Sequence, residues 1–350
     1  MSKKTLKVLS LLLVMVFALV TVTGCGGGNG NGEPAPAPEN GEPEAAGEGE
    51  IVLRAATSVD MSHPYNQGMI AYGEMLEERT NGKFSIEVYP DAQLGSEREI
   101  IEGIQMGTID VTVVSTAPLA GFSDAFLVTD LPFIFEDKPH AYRVLDGEIG
   151  QSIFDQLEGT GIVGLAFWEN GFRNITNSQR PIEVPEDVQG LKIRTMENQI
   201  HMDSFREVGA DPTPMAFGEL FTALQQGTVD GQENPLPIIA TSRFYEVQDH
   251  LALTGHFYAP APLLISGALW DSLTDEEKTI FQEAANDATD IQRGMIQEMD
   301  DRLVEELEAE GMQITRPDVG PWQEAMAPVY EQWEDTIGAE LIQQIQEMGN

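Results

Sequence analysis

Residues 191–235 read LKIRTMENQIHMDSFREVGADPTPMAFGELFTALQQGTVDGQENP. The opening LKIRT predicts a strand that delivers Arg194, whose guanidinium donors form a rigid fork able to grip a carboxylate at two points. A Pro-rich bend follows, with Pro212 and Pro214, and it presents Phe217 beside a helix start. A second strand then ends in Gln232, Glu233, Asn234 and Pro235. Alternation of strand, helix and strand is the pattern of an α/β fold. Its ends offer a cation, an aromatic face and an amide, the set needed to hold a small organic acid.

The last part of that stretch has an earlier counterpart. EIIEGIQMGTID at residues 99–110 recurs as ELFTALQQGTVD at residues 219–230. Each copy is a helical turn pattern, a Gly stop, and a strand opening with Thr, a β-branched residue and Asp. Ser96 with Glu99 adds a capping box to the upstream copy. Two such units predict two similar lobes, the alternative being a chance match between Gly-ended helices. After the two Asp the chains diverge, VTVVST against GQENP. Those ends should face each other across a cleft, because ligands sit beyond the carboxyl ends of strands in open α/β sheets.

Further elements follow from period and punctuation. Residues 51–57 read as a strand and 64–80 as a helix. Residues 83–89 alternate, with Phe84, Ile86 and Val88 inward. Residues 162–167 and 171–176 read as two more strands. Thr274 caps a helical run over 275–311, roughly 50 Å long at 1.5 Å per residue. A last helix is expected over about 322–348.

The amino terminus is a targeting segment. Lys3, Lys4 and Lys7 precede an apolar run over residues 9–22, too short for a comfortable membrane span. Val22-Thr23-Gly24 then leads to Cys25, the one cysteine of the chain. This resembles a lipoprotein signal over residues 1–24, cleaved before a lipidated Cys25; an ordinary secretory signal with an incidental cysteine is the other reading. Residues 26–50 hold six glutamates, no basic residue and many Gly and Pro. That composition cannot bury a core and reads as an acidic disordered tether, with a reach of roughly 30 Å. Residues 51–350 are long enough for a large core in two lobes.

The formal net charge is −39, and three units more negative without the leader lysines. Such a field repels nucleic acid and anionic surfaces. An anionic ligand would therefore need a local cationic site working against the global field.

The quoted stretch closely resembles the solute-binding proteins of tripartite ATP-independent periplasmic (TRAP) transporters, the DctP-type family. KIR, PTPMAF and DGQENP match that family's motifs, as do LGSER at residues 94–98, LPF at 131–133 and NGFR at 170–173. The resemblance implies a two-lobed, periplasmic-binding-protein-like α/β fold, with a long helix crossing both lobes. It implies lobe I over about 51–170 and 259–299, and lobe II over about 171–258 and 300–350. It also implies an extracytoplasmic receptor, anchored to the cell membrane only through its lipid, that hands a small organic acid to small and large integral membrane subunits. No cofactor and no metal are implied.

The same resemblance marks site residues. Arg194 matches the family's carboxylate-clamping arginine; on its residues alone it serves a ligand or a structural ion pair. Arg173 matches a second cleft arginine, against a surface or hinge salt bridge. Asn234 matches an amide that bonds the ligand carboxylate, against a plain turn residue before proline. Phe217 matches a cleft aromatic, against a core position. Ser115 stands where sialic-acid-binding relatives have Glu, and Pro118 where they have Arg, which argues for a smaller ligand. Glu197 and Asn198 follow the clamp and are candidates for the ligand's far end. His63 and Tyr65 either line the cleft or cap the first helix. The ligand is read as a sugar acid or hydroxy acid. A C4-dicarboxylate is the alternative if Arg173 takes a second carboxylate, and a ligand-sensing subunit of a signalling system is another.

An enzyme is disfavoured. The histidines are His63, His140, His201, His250 and His256, without an HExxH, CxxC, GxSxG or phosphate-cradling Gly-rich motif around them.

Overall fold

The computed structural model describes residues 50–349. The leader, Cys25 and the tether up to residue 49 lie outside the described residues. Among the described residues nine strands form a mixed sheet: β1 (Ile51–Ala56), β2 (Phe84–Tyr89), β3 (Val111–Val113), β4 (Ile162–Asn177), β5 (Lys192–Thr195), β6 (Asp211–Pro214), β7 (Gly231–Pro235), β8 (His250–Ser266) and β9 (Gln313–Thr315). Their order is β2-β1-β3-β8-β4-β7-β5-β6, with β9 on β8.

Two α/β halves are joined by the long antiparallel pair β4 and β8. β1, β2 and β3 run parallel on one side, and β3 meets the carboxyl end of β8 through Val111 and Ile265. β5, β6 and β7 run parallel on the other side, and β7 meets the later half of β4. The expected strands over 162–167 and 171–176 are thus one strand. It bends through register shifts at Gly164/Ala166, Glu169/Gly171 and Arg173/Ile175, and a bulge bends a strand without ending it. Gly171 sits at φ +117°, a backbone state that side chains rarely tolerate, which explains the glycine of NGFR.

The Pro-rich bend is β6, an edge strand parallel to β5 with Ile193 opposite Pro212. Proline is tolerated there because an edge strand leaves one side of its backbone unpaired.

The helix after Thr274 spans Asp275–Ala309, with a full capping box to Glu277. It packs on helix Pro64–Arg79, on helix Leu236–Thr241 and on β4, so it touches both halves. Gln292 stitches it to the bulge: its amide accepts from the Glu169 N–H at 2.9 Å and donates to the Glu169 carbonyl at 2.6 Å. The expected last helix is three helices, Val319–Met326, Pro328–Ile337 and Ala339–Glu347. Pro328 cannot donate into a preceding turn, and Gly338 at φ +98° ends the second helix.

Candidate functional site

The repeated unit is real in three dimensions. Helices Glu97–Met106 and Phe217–Gln225 are each followed by a left-handed glycine, Gly107 at φ 73° and Gly227 at φ 67°. Asp110 Oδ2 then accepts the Arg54 N–H of β1 at 2.8 Å, and Asp230 Oδ2 accepts the Lys192 N–H of β5 at 2.9 Å. Each aspartate ties the start of its strand to the backbone of the parallel neighbour. β3 leads on to Ser115 and β7 carries Asn234, and both residues line one small cavity.

Arg194 dominates this cavity. It leaves β5 buried, at 2% exposure. Its Nε and Nη2 both donate to the Met215 carbonyl, at 2.9 and 2.7 Å. That occupies one edge of the guanidinium and leaves the Nη1–Nη2 edge available. Among the described residues no carboxylate lies within ion-pair distance of it. Burial, opposed in part by Glu233 and Glu97, lowers its pKa to about 10, so it stays charged at neutral pH. The Phe217 ring centroid is 6.0 Å from its guanidinium carbon. A second small cavity shares Glu97, Arg194, Met196 and Phe217, and reaches Glu197 and Pro118.

The sequence candidates therefore fall into groups. Arg194, Phe217, Ser115 and Asn234 converge on the inner cavity. Glu197 is exposed and lines only the outer one. Asn198 lines neither; it is buried and caps helix Gln199–Glu207. Arg173 does not present a free fork. It forms an ion pair with buried Glu233 through Nε and Nη2, and Nη2 also donates to the Asn234 side-chain oxygen at 3.1 Å. Burial pushes the Glu233 carboxyl up, but Arg173 and His256 outweigh it and hold the group well below the carboxylate range. The Asn234 amide is thereby fixed on one side by Arg173 and on the other by Gln232, whose own amide donates to Thr176 at 2.9 Å.

Two polar residues of the inner cavity, Glu97 and Ser58, carry no ligand reading in the sequence, while Tyr65 is open there between cleft and cap. Glu97 accepts the Ser115 N–H at 2.9 Å and faces the cavity; burial raises its pKa, against the Ser115 bonds and the two arginines. It reads locally as a favourable charge in a helix first turn, so only the direction of that helix exposes its role. Ser58 lines the same wall. Tyr65 does too, with its hydroxyl pushed well above pKa 10 by burial. His63 is the cap of the pair: its Nδ1 accepts the Tyr65 N–H at 3.2 Å, and burial lowers its pKa to about 3.

Two larger surface grooves lie elsewhere. Their cations are already paired, Lys138 with Glu169 and Asp300 in one, and Arg293 with Asp146 in the other. Among the described residues no His, Cys, Asp or Glu cluster is placed to hold a metal ion, and no helix is long and apolar enough to cross a membrane.

Two α/β halves joined by crossing strands, with a cavity at the strand ends, define a two-lobed solute-binding protein. The chain belongs to the bacterial extracellular solute-binding protein family 7, DctP, whose family model matches residues 55–336. It is similar to a TRAP periplasmic solute-binding protein from Polaromonas sp. JS666 bound to D-erythronate: 44% identity, TM-score 0.84, covering 85% of this chain and 98% of that one. It is similar to the sugar-acid-binding protein DctPAm of Advenella mimigardefordensis in complex with galactonate: 35% identity, TM-score 0.83, covering 86% and 98%. It is also 34% identical to the C4-dicarboxylate-binding periplasmic protein DctP of Rhodobacter capsulatus, over 83% of this chain and 89% of that protein. The chain is thus a TRAP solute-binding receptor of an extracytoplasmic family, and it is not an enzyme. Membrane transporter subunits are its implied partners.

Proposed function

We propose that this receptor captures a small sugar acid or hydroxy acid through a two-point pair between Arg194 and the ligand carboxylate, and delivers it to the small and large membrane subunits. One observation carries the reading: a buried, charged guanidinium with a free edge faces the inner cavity without an ion-pair partner among the described residues. A buried charge in that state is costly unless a counter-ion completes it. Phe217 forms a face of the pocket, Asn234 adds an amide, and Ser115 and Glu97 supply acceptors for hydroxyl groups. Glu197 borders the entrance.

The relatives bound to D-erythronate and galactonate support a polyhydroxy monocarboxylate. A C4-dicarboxylate would need a second free cation, whereas Arg173 is engaged by Glu233. The lobes are assigned as about residues 51–170 with 259–299, and about 171–258 with 300–350. Ligand bridges both only when they close, so closure follows from differential affinity. A lipidated Cys25 and an acidic tether would hold the domain at the membrane surface. The test is a thermal-shift screen of aldonates, uronates, short hydroxy acids and C4-dicarboxylates, followed by calorimetry of the best hit. Absence of any shift across that panel would overturn the assignment.

A further inference from the structure

Close to the outer cavity lies a buried polar cluster that lines neither cavity. Asp130 is 3% exposed and ends the short helical segment Asp124–Asp130. Its Oδ1 accepts from Thr116 Oγ1 at 3.2 Å and lies 3.5 Å from His201 Nε2. Its Oδ2 accepts from Asn198 Nδ2 at 2.8 Å. The same Asn198 nitrogen donates to the Ala117 carbonyl at 3.1 Å. The Asn198 side-chain oxygen faces the other way and accepts from the Ile200 and His201 N–H groups, at 2.9 and 3.2 Å. His201 is held by stacking on Phe257, ring centroids 4.2 Å apart.

The cluster joins segments from the two sides of the cleft. Thr116, Ala117 and Asp130 belong to the stretch assigned to the first lobe, Asn198 and His201 to that of the second. Pro118, next to Ala117, and Met196 and Glu197, just before Asn198, line the outer cavity. A buried carboxylate needs donors, and of the two side-chain hydrogen bonds to Asp130 the one from Asn198 comes from across the cleft. Opening withdraws it and lets water replace it; closing restores it in a dry setting where such a bond is stronger.

We propose that Asp130 and Asn198 form a closure latch: positioning residues that never touch the ligand but set how long the closed, loaded form lasts. This rests on the two-lobed receptor reading above. Asn198→Asp keeps the cap acceptor for Ile200 and His201, removes the donor, and sets a like charge against Asp130. Asp130→Asn in that background restores one donor and one acceptor in swapped positions.

The experiment is stopped-flow dissociation with D-erythronate, or with galactonate, galacturonate or succinate if that acid binds better, together with melting curves with and without the acid. For Asn198→Asp the latch predicts at least tenfold faster dissociation, an unchanged ligand-free melting temperature and a smaller ligand-induced shift. The double variant recovers slow dissociation. Unchanged dissociation, or a ligand-free melting temperature that falls as much as the loaded one, overturns the latch and leaves the receptor standing. A wild-type chain that binds none of the four acids overturns the receptor reading, and the latch with it.

Discussion

Replacing Arg194 by lysine tests the centre of the proposed site. In the structure two N–H groups on one edge of the guanidinium converge on the Met215 carbonyl, at 2.9 and 2.7 Å. The opposite edge keeps two parallel donors for a carboxylate. A lysine ammonium has a single nitrogen and cannot serve both partners in the same plane. It keeps the charge but forfeits one charge-assisted bond, about 1.5–3 kcal/mol. That corresponds to an affinity loss of roughly tenfold to a hundredfold. Arg194→Met goes further and removes the buried charge itself. Binding should then vanish, while the ligand-free protein melts no lower than wild type, because an apolar group replaces a desolvated cation without a counter-ion. Calorimetry with the best acid from the screen, paired with melting curves, measures both. Unchanged affinity in Arg194→Lys, or a ligand-free Arg194→Met that melts well below wild type, would show that the guanidinium serves the fold and not a ligand.

Asn234→Ala should weaken binding by about 1–3 kcal/mol through a lost bond to a charged group; calorimetry giving wild-type affinity would remove Asn234 from the site. Saturating acid should shrink the radius of gyration slightly in small-angle scattering and give a negative heat-capacity change of binding; superimposable scattering curves would contradict lobe closure. His63 has a folded pKa of about 3 against 6.5 for the free side chain, so the unfolded chain binds the extra proton between those values. Its contribution is complete above pH 6.5 and is lost as pH falls toward 3, by up to ~1.4 kcal/mol per pH unit. His63→Asn keeps a capping acceptor, so its melting temperature should fall less steeply from pH 6.5 to 4.5 than that of wild type; parallel curves would refute the assignment. Cys25→Ser should release the protein into the soluble fraction or block its processing, and mass spectrometry finding an unmodified Cys25 in membrane extracts would refute the anchor.

Much of the architecture was legible because it is written in local signals. The Thr274 cap and the unbroken polar-apolar pattern after it marked the helix Asp275–Ala309 nearly to the residue. The two EIIEGIQMGTID-like units marked two equivalent turns, and the structure repeats even the Asp110 and Asp230 bonds. Arg194, Phe217 and Asn234 were placed at element ends, and those ends meet. Other local signals take their meaning only in the fold: Pro328 and Gly338 divide the terminal helix, and Gly171 marks a bulge within one continuous strand.

What only the tertiary structure decided concerns partners far apart in the chain. Arg173 carries the same side chain as Arg194, and no local pattern separates them. Pairing of β4 with β7 sets Arg173 beside Glu233 and neutralises it, while β5 delivers Arg194 to a wall where, among the described residues, no carboxylate lies within ion-pair distance. Glu97 looks like an ordinary first-turn acid until its helix is aimed at the cleft, and Asn198 looks like a ligand contact until its cap geometry turns it toward Asp130. Caps, turns and periodicity act over a few residues and so are visible in sequence. The charge state and role of a buried group depend on which distant groups fill its surroundings, because desolvation and Coulomb energies are set by position in space and not by position in the chain.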